Sequence, residues 1–341
     1  VFIHFNILGR FKTLFITILL LLFLNIGTFV FTESSIIQSI EATLRLIGPI
    51  LFFLTILIFS KKEDINLRIL MIKIFKYCGL LLFIGIVVFD SVVKLNDVRL
   101  PIYFSNVHMH SYILTSIFIG ISYFIFKKNS VTKLVLFYFI TVLFLYFGYT
   151  VRTALIVYLI YIFATLFVRS HNFKVIAMIG FVGIPFLIIA AILFFNINFD
   201  SFSSGRLSMY IAKYEMLKTY NIFEFFFGRG YGSDIIHIDT WAGEKGSHSD
   251  YITYAIENGI FYMFTFIFLL LSLIPTYKKI NLVYISLIMG YLFSSLISNG
   301  IAIRPLAGYL YFMVVAYVYL ETWGAKEGWV NRNQIKLDAN K

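Results

Sequence analysis

Residues 11–31 read FKTLFITILLLLFLNIGTFVF, and this stretch decides the fold. After Lys12, nineteen residues pass without a charge. A helix rises 1.5 Å per residue, so such a run crosses the roughly 30 Å of hydrocarbon in a bilayer. In hydrocarbon every backbone N–H and C=O must find a partner inside the segment, which a helix provides. The run is long, and no conventional cleavage site follows it. It reads as a retained anchor rather than a removed signal peptide.

The same pattern recurs outward along the chain. Ten spans are expected: Phe11–Phe31, Thr43–Phe59, Met71–Phe89, His110–Phe126, Val131–Gly148, Arg152–Val168, Val175–Phe195, Asp250–Ile274, Ile280–Ser298 and Ile303–Leu320. The second is short and contains Pro49. With 60% hydrophobic residues, 13% charged residues and mean hydropathy of +0.89, a water-soluble globular class is excluded. The runs lack the alternating pattern of an outer-membrane barrel. The expected fold is all-α: a polytopic helical membrane protein, one integral domain over residues 1–341, with one large polar loop at 197–249. No internal repeat or soluble domain is visible.

Charge sets the orientation. Arg10 and Lys12, then Lys61, Lys62, Arg68, Lys73 and Lys76, then Lys127, Lys128 and Lys133, mark one side. Arg169 and Lys174, Lys278 and Lys279, and the tail lysines and arginine continue the alternation. By the positive-inside rule that side is cytoplasmic, with both termini. The 197–249 loop then lies outside and is near neutral, with five Lys/Arg and six Asp/Glu. The net charge of +11 is accounted for by topology, and nothing calls for nucleic acid. Cys78 is the single cysteine, so no internal disulfide forms; in an apolar span it reads as a packing residue.

Five arginines break the charge rule. Arg45, Arg152 and Arg304 stand near outer ends of spans, and Arg206 and Arg229 stand in the outer loop. Arginine near a bilayer is costly; it pairs, snorkels or lines a functional cavity. Its planar fork takes phosphate oxygens bidentately, which lysine cannot imitate. Arg152 follows the tight turn Gly148-Tyr149-Thr150-Val151. Arg304 precedes Pro305 at a helix start, where the dipole repels a cation unless an anion is present. Snorkelling to ordinary lipid phosphate is the alternative for each.

The outer loop opens with Ser203-Ser204-Gly205-Arg206, where Ser204 fits an N-cap for an amphipathic helix over about 206–220. Gly228-Arg229-Gly230-Tyr231-Gly232 follows, whose glycines allow a turn with backbone N–H groups free for an anion. Ser247-His248-Ser249-Asp250 closes the loop. His248 titrates near neutrality and can take a proton from a hydroxyl, or it can simply cap the helix behind it. Asp250 or Glu257 is a potential orienting group, but on an ideal helix Glu257 is nearly opposite His248, so no dyad is assigned. His108-Met109-His110 reads as a polar interfacial cluster rather than a metal site, because no third ligand is clear. His237 and Asp239 stay unassigned. There is no nucleotide-binding P-loop, no Asp-x-Asp and no Gly-x-Ser-x-Gly elbow. No metal and no cofactor are expected.

At this point the chain resembles the O-antigen polymerase and O-antigen ligase superfamily. The likeness rests on Tyr149-Thr150-Val151-Arg152-Thr153-Ala154 and Ser204-Gly205-Arg206-Leu207-Ser208-Met209-Tyr210. Phe227-Gly228-Arg229-Gly230-Tyr231-Gly232 and Ser247-His248-Ser249-Asp250-Tyr251, running into Glu257-Asn258-Gly259-Ile260, complete it. The resemblance implies a metal-independent, inverting membrane glycosyltransferase of the GT-C type. Its implied donor is a glycan on undecaprenyl diphosphate at the periplasmic face of the bacterial inner membrane. It implies His248 for the acceptor hydroxyl, and Arg152, Arg206 and Arg229 for the diphosphate; Arg304 joins them from topology alone. Implied partners are the lipid-linked glycan, membrane lipid and a candidate chain-length regulator. The short chain and compact loop favour a polymerase. A ligase transferring glycan to lipid A-core and a flippase for lipid-linked oligosaccharide are the alternatives.

Overall fold

The computed structural model describes residues 11–31, 36–62, 67–94, 97–102, 106–128, 130–169, 205–238, 243–275 and 281–324. Helices α1 (Lys12–Phe31), α2 (Ile36–Lys62) and α3 (Leu67–Val88) lead into a short hairpin, β1 (Val92–Lys94) and β2 (Asp97–Arg99). Then come α4 (Val107–Lys127), α5 (Val131–Tyr149) and α6 (Arg152–Arg169). The polar segment carries α7 (Arg206–Lys218), α8 (Ile222–Phe227) and a second hairpin, β3 (Ile236–Ile238) and β4 (Gly243–Lys245). Helices α9 (Asp250–Glu257), α10 (Ile260–Leu271), α11 (Leu282–Ile297) and α12 (Pro305–Tyr319) complete the bundle, ending in a π-turn at Leu320–Gly324.

Among the described residues seven helices are long and apolar enough to cross a membrane, and α10 and α11 are shorter apolar helices. The chain is a mostly helical, multi-pass membrane protein. The expected span at 175–195, along with Ser204 and Asp239, lies outside the described residues. Helix α2 runs on through Pro49 and is longer than the expected span. Two small antiparallel hairpins, not anticipated from the sequence, pair Val92 with Arg99 and Ile236 with Lys245 at their open ends.

Helix α12 is the centre. Every residue from Tyr311 to Tyr319 is buried, so it has no lipid-facing stripe. It packs against α2 and α4, while α11 packs along α6 and α10 along α1. Outer helices show the reverse pattern: Phe139 on α5 and Leu81 on α3 are more than half exposed, as lipid-facing residues must be. Between helices, hydroxyls pair where hydrocarbon offers no water: Tyr138 with Thr165 at 2.7 Å and Thr141 with Tyr158 at 2.9 Å.

The two ends of the bundle differ. At one end Lys127 pairs with Glu321 at 3.1 Å, and Arg169 donates to the Phe126 carbonyl. At the other end meet the end of α1, the start of α2, the α5–α6 turn, the 205–249 segment and the α11–α12 link. There Thr28 donates to the Phe227 carbonyl (2.7 Å), the Leu100 N–H donates to Gly148 (2.9 Å), and Arg206 donates to Ile297 (2.9 Å).

One expectation is corrected. The stretch 250–274 is not a single helix: α9 stops at Glu257, and α10 starts again at Ile260. Gly259 sits at φ 86°, a left-handed conformation that glycine adopts freely and other residues resist. The carbonyls freed by the break are filled from the polar segment. Arg229 N–H donates to Ile256 (2.9 Å) and Gly230 N–H to Glu257 (2.8 Å). The crossing is tight: a Cβ on Gly228 would lie 2.2 Å from the Glu257 carbonyl oxygen, and one on Gly259 2.1 Å from that of Phe226.

Candidate functional site

The break at 258–259 lets α9 stand as a short helix at the polar end, with its first turn turned toward the α11–α12 link. Asp250 opens α9 and is almost wholly buried. Its Oδ2 accepts the Gly300 N–H at 2.9 Å, and Ser295 lies beside it. The carbonyl of that same Gly300 accepts from the Arg304 guanidinium. One link residue is thus held on both faces, by an acid on its N–H and a cation on its C=O. Arg304 also lies over the ring of Tyr112 on α4, 5.2 Å from its centroid.

Arg206, the first residue of α7, reaches the same place. One guanidinium nitrogen donates to the Ile297 carbonyl at the end of α11, which Tyr210 also approaches at 3.4 Å. Those carbonyls are the open C-terminal groups of a helix, where a cation is favoured. Arg206 is half-buried. His108, near the start of α4, lies within electrostatic reach of Arg304, Arg206, His248 and Arg99. Arg206, His248 and Arg304, singled out in the sequence and far apart in the chain, therefore converge.

His248 is held in a strained backbone conformation, φ 49°. Few non-glycine residues adopt it, and surroundings must over-determine it. Both neighbours are pinned. Ser247 gives its N–H (2.8 Å) and its hydroxyl (3.0 Å) to Asp234 Oδ2, and Ser249 gives its hydroxyl to the Ser295 carbonyl (3.3 Å). The imidazole of His248 is half-exposed between two buried serines.

The cluster is polar well beyond its charges. His108 Nδ1 and Arg304 Nε are buried with no hydrogen-bond partner among the described residues, while Tyr112 faces Thr153 and Asp250 faces Ser295. Buried polar atoms are nearly always satisfied, and exceptions concentrate where function needs them. Thr153 lies beside Tyr112, which brings the start of α6 to the same end; Arg152, one residue earlier, is exposed.

Arg229 is engaged elsewhere. Its Nε donates to Glu224 at 3.0 Å and its Nη2 to the other carboxylate oxygen at 3.3 Å. The guanidinium stacks over Tyr220, 4.1 Å from the centroid. That neighbour holds the Glu224 carboxyl below its ordinary range. The expected anion cradle at 228–232 is filled by the protein itself: Arg229 and Gly230 N–H groups serve α9 carbonyls, and Gly232 N–H serves the Glu257 carboxylate at 2.9 Å. Arg45 pairs with Glu41 on the exposed face of α2. His237 is exposed on β3. His110 is fully buried and bonds Tyr149 at 2.9 Å, which ties α4 to the α5–α6 turn.

Sequence reasoning missed three residues. His108 was set aside with His110, although its place at a helix start on the arginine side was a usable signal. Asp234 and Lys213 form a buried pair at 3.2 Å that nothing in their spacing announces. Among the described residues no group of His, Cys, Asp and Glu has the makings of a metal site. The chain matches no protein-family model, no curated protein and no solved structure.

Proposed function

We propose that the chain is an O-antigen polymerase, an inverting membrane glycosyltransferase that joins undecaprenyl-diphosphate-linked repeat units at the periplasmic face of the inner membrane. The observation that carries this reading is the meeting of Arg206, Arg304 and His248 near His108 at one end of the bundle, where Arg304 faces buried Asp250. Two arginines face one carboxylate there, so the place favours an anion. A pair of unit charges about 4 Å apart interacts by about 4 kcal/mol at an effective dielectric of 20. Two arginines therefore supply several kcal/mol toward a diphosphate whose charge grows as it leaves.

In this reading the acceptor hydroxyl attacks the anomeric carbon of the donor sugar. The new C–O bond forms as the bond from that carbon to the diphosphate oxygen breaks, with inversion. The hydroxyl proton passes to His248, and undecaprenyl diphosphate departs with the electron pair. Arg206 and Arg304 hold the departing diphosphate, with the exposed Arg152 at its rim. Arg229 supports the polar segment rather than the phosphate.

The buried charges also favour a site at one end over a transport path. Among the described residues Lys213, Asp234, Asp250, Glu257 and Arg304 are the buried Lys, Arg, Asp and Glu, and all lie at the polar end. A flippase needs charge at several membrane depths. The test is purified protein with lipid-linked repeat units in detergent. Products longer than the input unit, lost in His248→Ala with folding unchanged, are expected. Transfer only to added lipid A-core would make the enzyme a ligase. No glycan transfer to either acceptor would overturn the glycosyltransferase reading.

A further inference from the structure

The buried pair Lys213–Asp234 is not explained by the diphosphate chemistry. Lys213, on α7, has no exposed surface, and Asp234 has almost none. Isolating two charges from water is costly, and such pairs contribute little net stability. Burial draws the Lys213 pKa below the ordinary lysine range, against the pull of Asp234 and Glu257. A pair that is unfavourable to bury needs another reason to exist.

The geometry supplies one. Asp234 Oδ1 faces Lys213 at 3.2 Å, while the Lys213 ammonium also donates to the Asp234 backbone carbonyl. The residue is thus held at both its side chain and its main chain. Oδ2 takes three donors: Ser247 N–H at 2.8 Å, Ser247 hydroxyl at 3.0 Å and Thr253 hydroxyl at 2.8 Å. Ser247 and Thr253 are themselves 2.7 Å apart. One carboxylate oxygen therefore joins the residue before His248 to the first turn of α9 after it. The loop between those two points is forced to turn sharply, and His248 takes its strained φ within that turn.

We infer that Asp234 is a positioning residue that sets the His248 imidazole through Ser247 and Thr253, with Lys213 as its counter-ion. The inference rests on the glycosyltransferase reading for its kinetic consequence, but not for its structural one. Asp234 Oδ2 accepts three hydrogen bonds, and Lys213 fixes the same residue at Oδ1 and at its main-chain carbonyl. A misplacement of about 1 Å at a reacting group costs about a hundredfold in rate.

Two variants test it. Asp234→Asn removes the carboxylate charge that faces Lys213, and Thr253→Val removes the hydroxyl that donates to Asp234 Oδ2 and meets Ser247, at nearly constant shape. In Asp234→Asn, kcat for glycan transfer is expected to fall about a hundredfold with KM for the lipid-linked donor unchanged. Thr253→Val is expected to fall about tenfold in kcat, again at constant KM. Neither change should lower the residual rate of His248→Ala further, because both act through His248. An equal loss in the His248→Ala background would overturn the inference. A second readout needs no activity: carbethoxylation of His248 by diethyl pyrocarbonate, followed by mass spectrometry. Its rate should rise about tenfold in Thr253→Val, whose fold is least at risk, as the turn loosens. An unchanged labelling rate would refute the positioning role. Faster labelling of Thr253→Val, in a protein whose wild type shows no transferase activity, would uphold the positioning role and sink the proposed reaction instead.

Discussion

Two arginines of the polar segment look alike in the sequence and differ in what they touch. Arg206 gives one donor to the Ile297 carbonyl and is half-buried. A lysine there keeps the charge but loses the planar fork that takes two phosphate oxygens at once, so Arg206→Lys should lose about a hundredfold in transfer rate while melting normally. Arg229→Lys should keep transfer near wild type, because Arg229 is paired to Glu224 and stacked on Tyr220. Normal activity in the first variant or lost activity in the second would reverse the assignment. Glycines of the same segment separate as cleanly. Gly228 and Gly232 both have positive φ, at 80° and 87°. Gly232→Ala meets nothing within 4 Å and should cost only the left-handed penalty, about 1–2 kcal/mol. Gly228→Ala adds a collision with the α9 backbone and should cost about 4 kcal/mol or more. Detergent melting of the two variants side by side reads the difference directly.

Among the elements, α8 is the hinge pin of the polar segment. It starts with a capping box, Asn221 accepting from Phe223 and Glu224 while Glu224 accepts from the Asn221 N–H. It ends against α1, where Thr28 donates to Phe227. Thr28→Val should remove that bond and cost about 1 kcal/mol, seen as earlier loss of α8 by hydrogen exchange. Acid should act on the same helix. The folded Glu224 pKa is depressed by Arg229, so its contribution is present above the unfolded value, near 4.3, and is lost as pH falls through the folded one. The pair Asn221 and Glu224, followed five residues on by Arg229, was readable as a local clasp. The break between α9 and α10 was not: a hydropathy window sees only unbroken apolar length, while Asn258-Gly259 acts through backbone geometry.

Among the described residues seven of the expected spans were legible because bilayer thickness and backbone hydrogen bonding leave few alternatives. Arg206 and Arg304 stood out in the sequence as misplaced charge, and His248 as a histidine at the mouth of a helix. The Asp250–Gly300–Arg304 grip was not, since it joins residues fifty positions apart, and charge statistics carry no information on which acid meets which base. Orientation is open to direct measurement. In a Cys78→Ala background, a cysteine at exposed Tyr231 and one at exposed Lys133 should react with impermeant maleimide from opposite sides of sealed vesicles. Labelling of both from one side would discard the alternation of helices. The central place of α12 carries a consequence for biosynthesis. A ribosome delivers this polypeptide in order, and Arg304 with its enclosing helix emerges after every other part of the cationic cluster. Until that helix partitions into the bundle, Asp250 has no cation and Tyr112 no lid. Arg206 and the His248 turn dock on α11 first, and the cluster is completed only when the last helix is inserted.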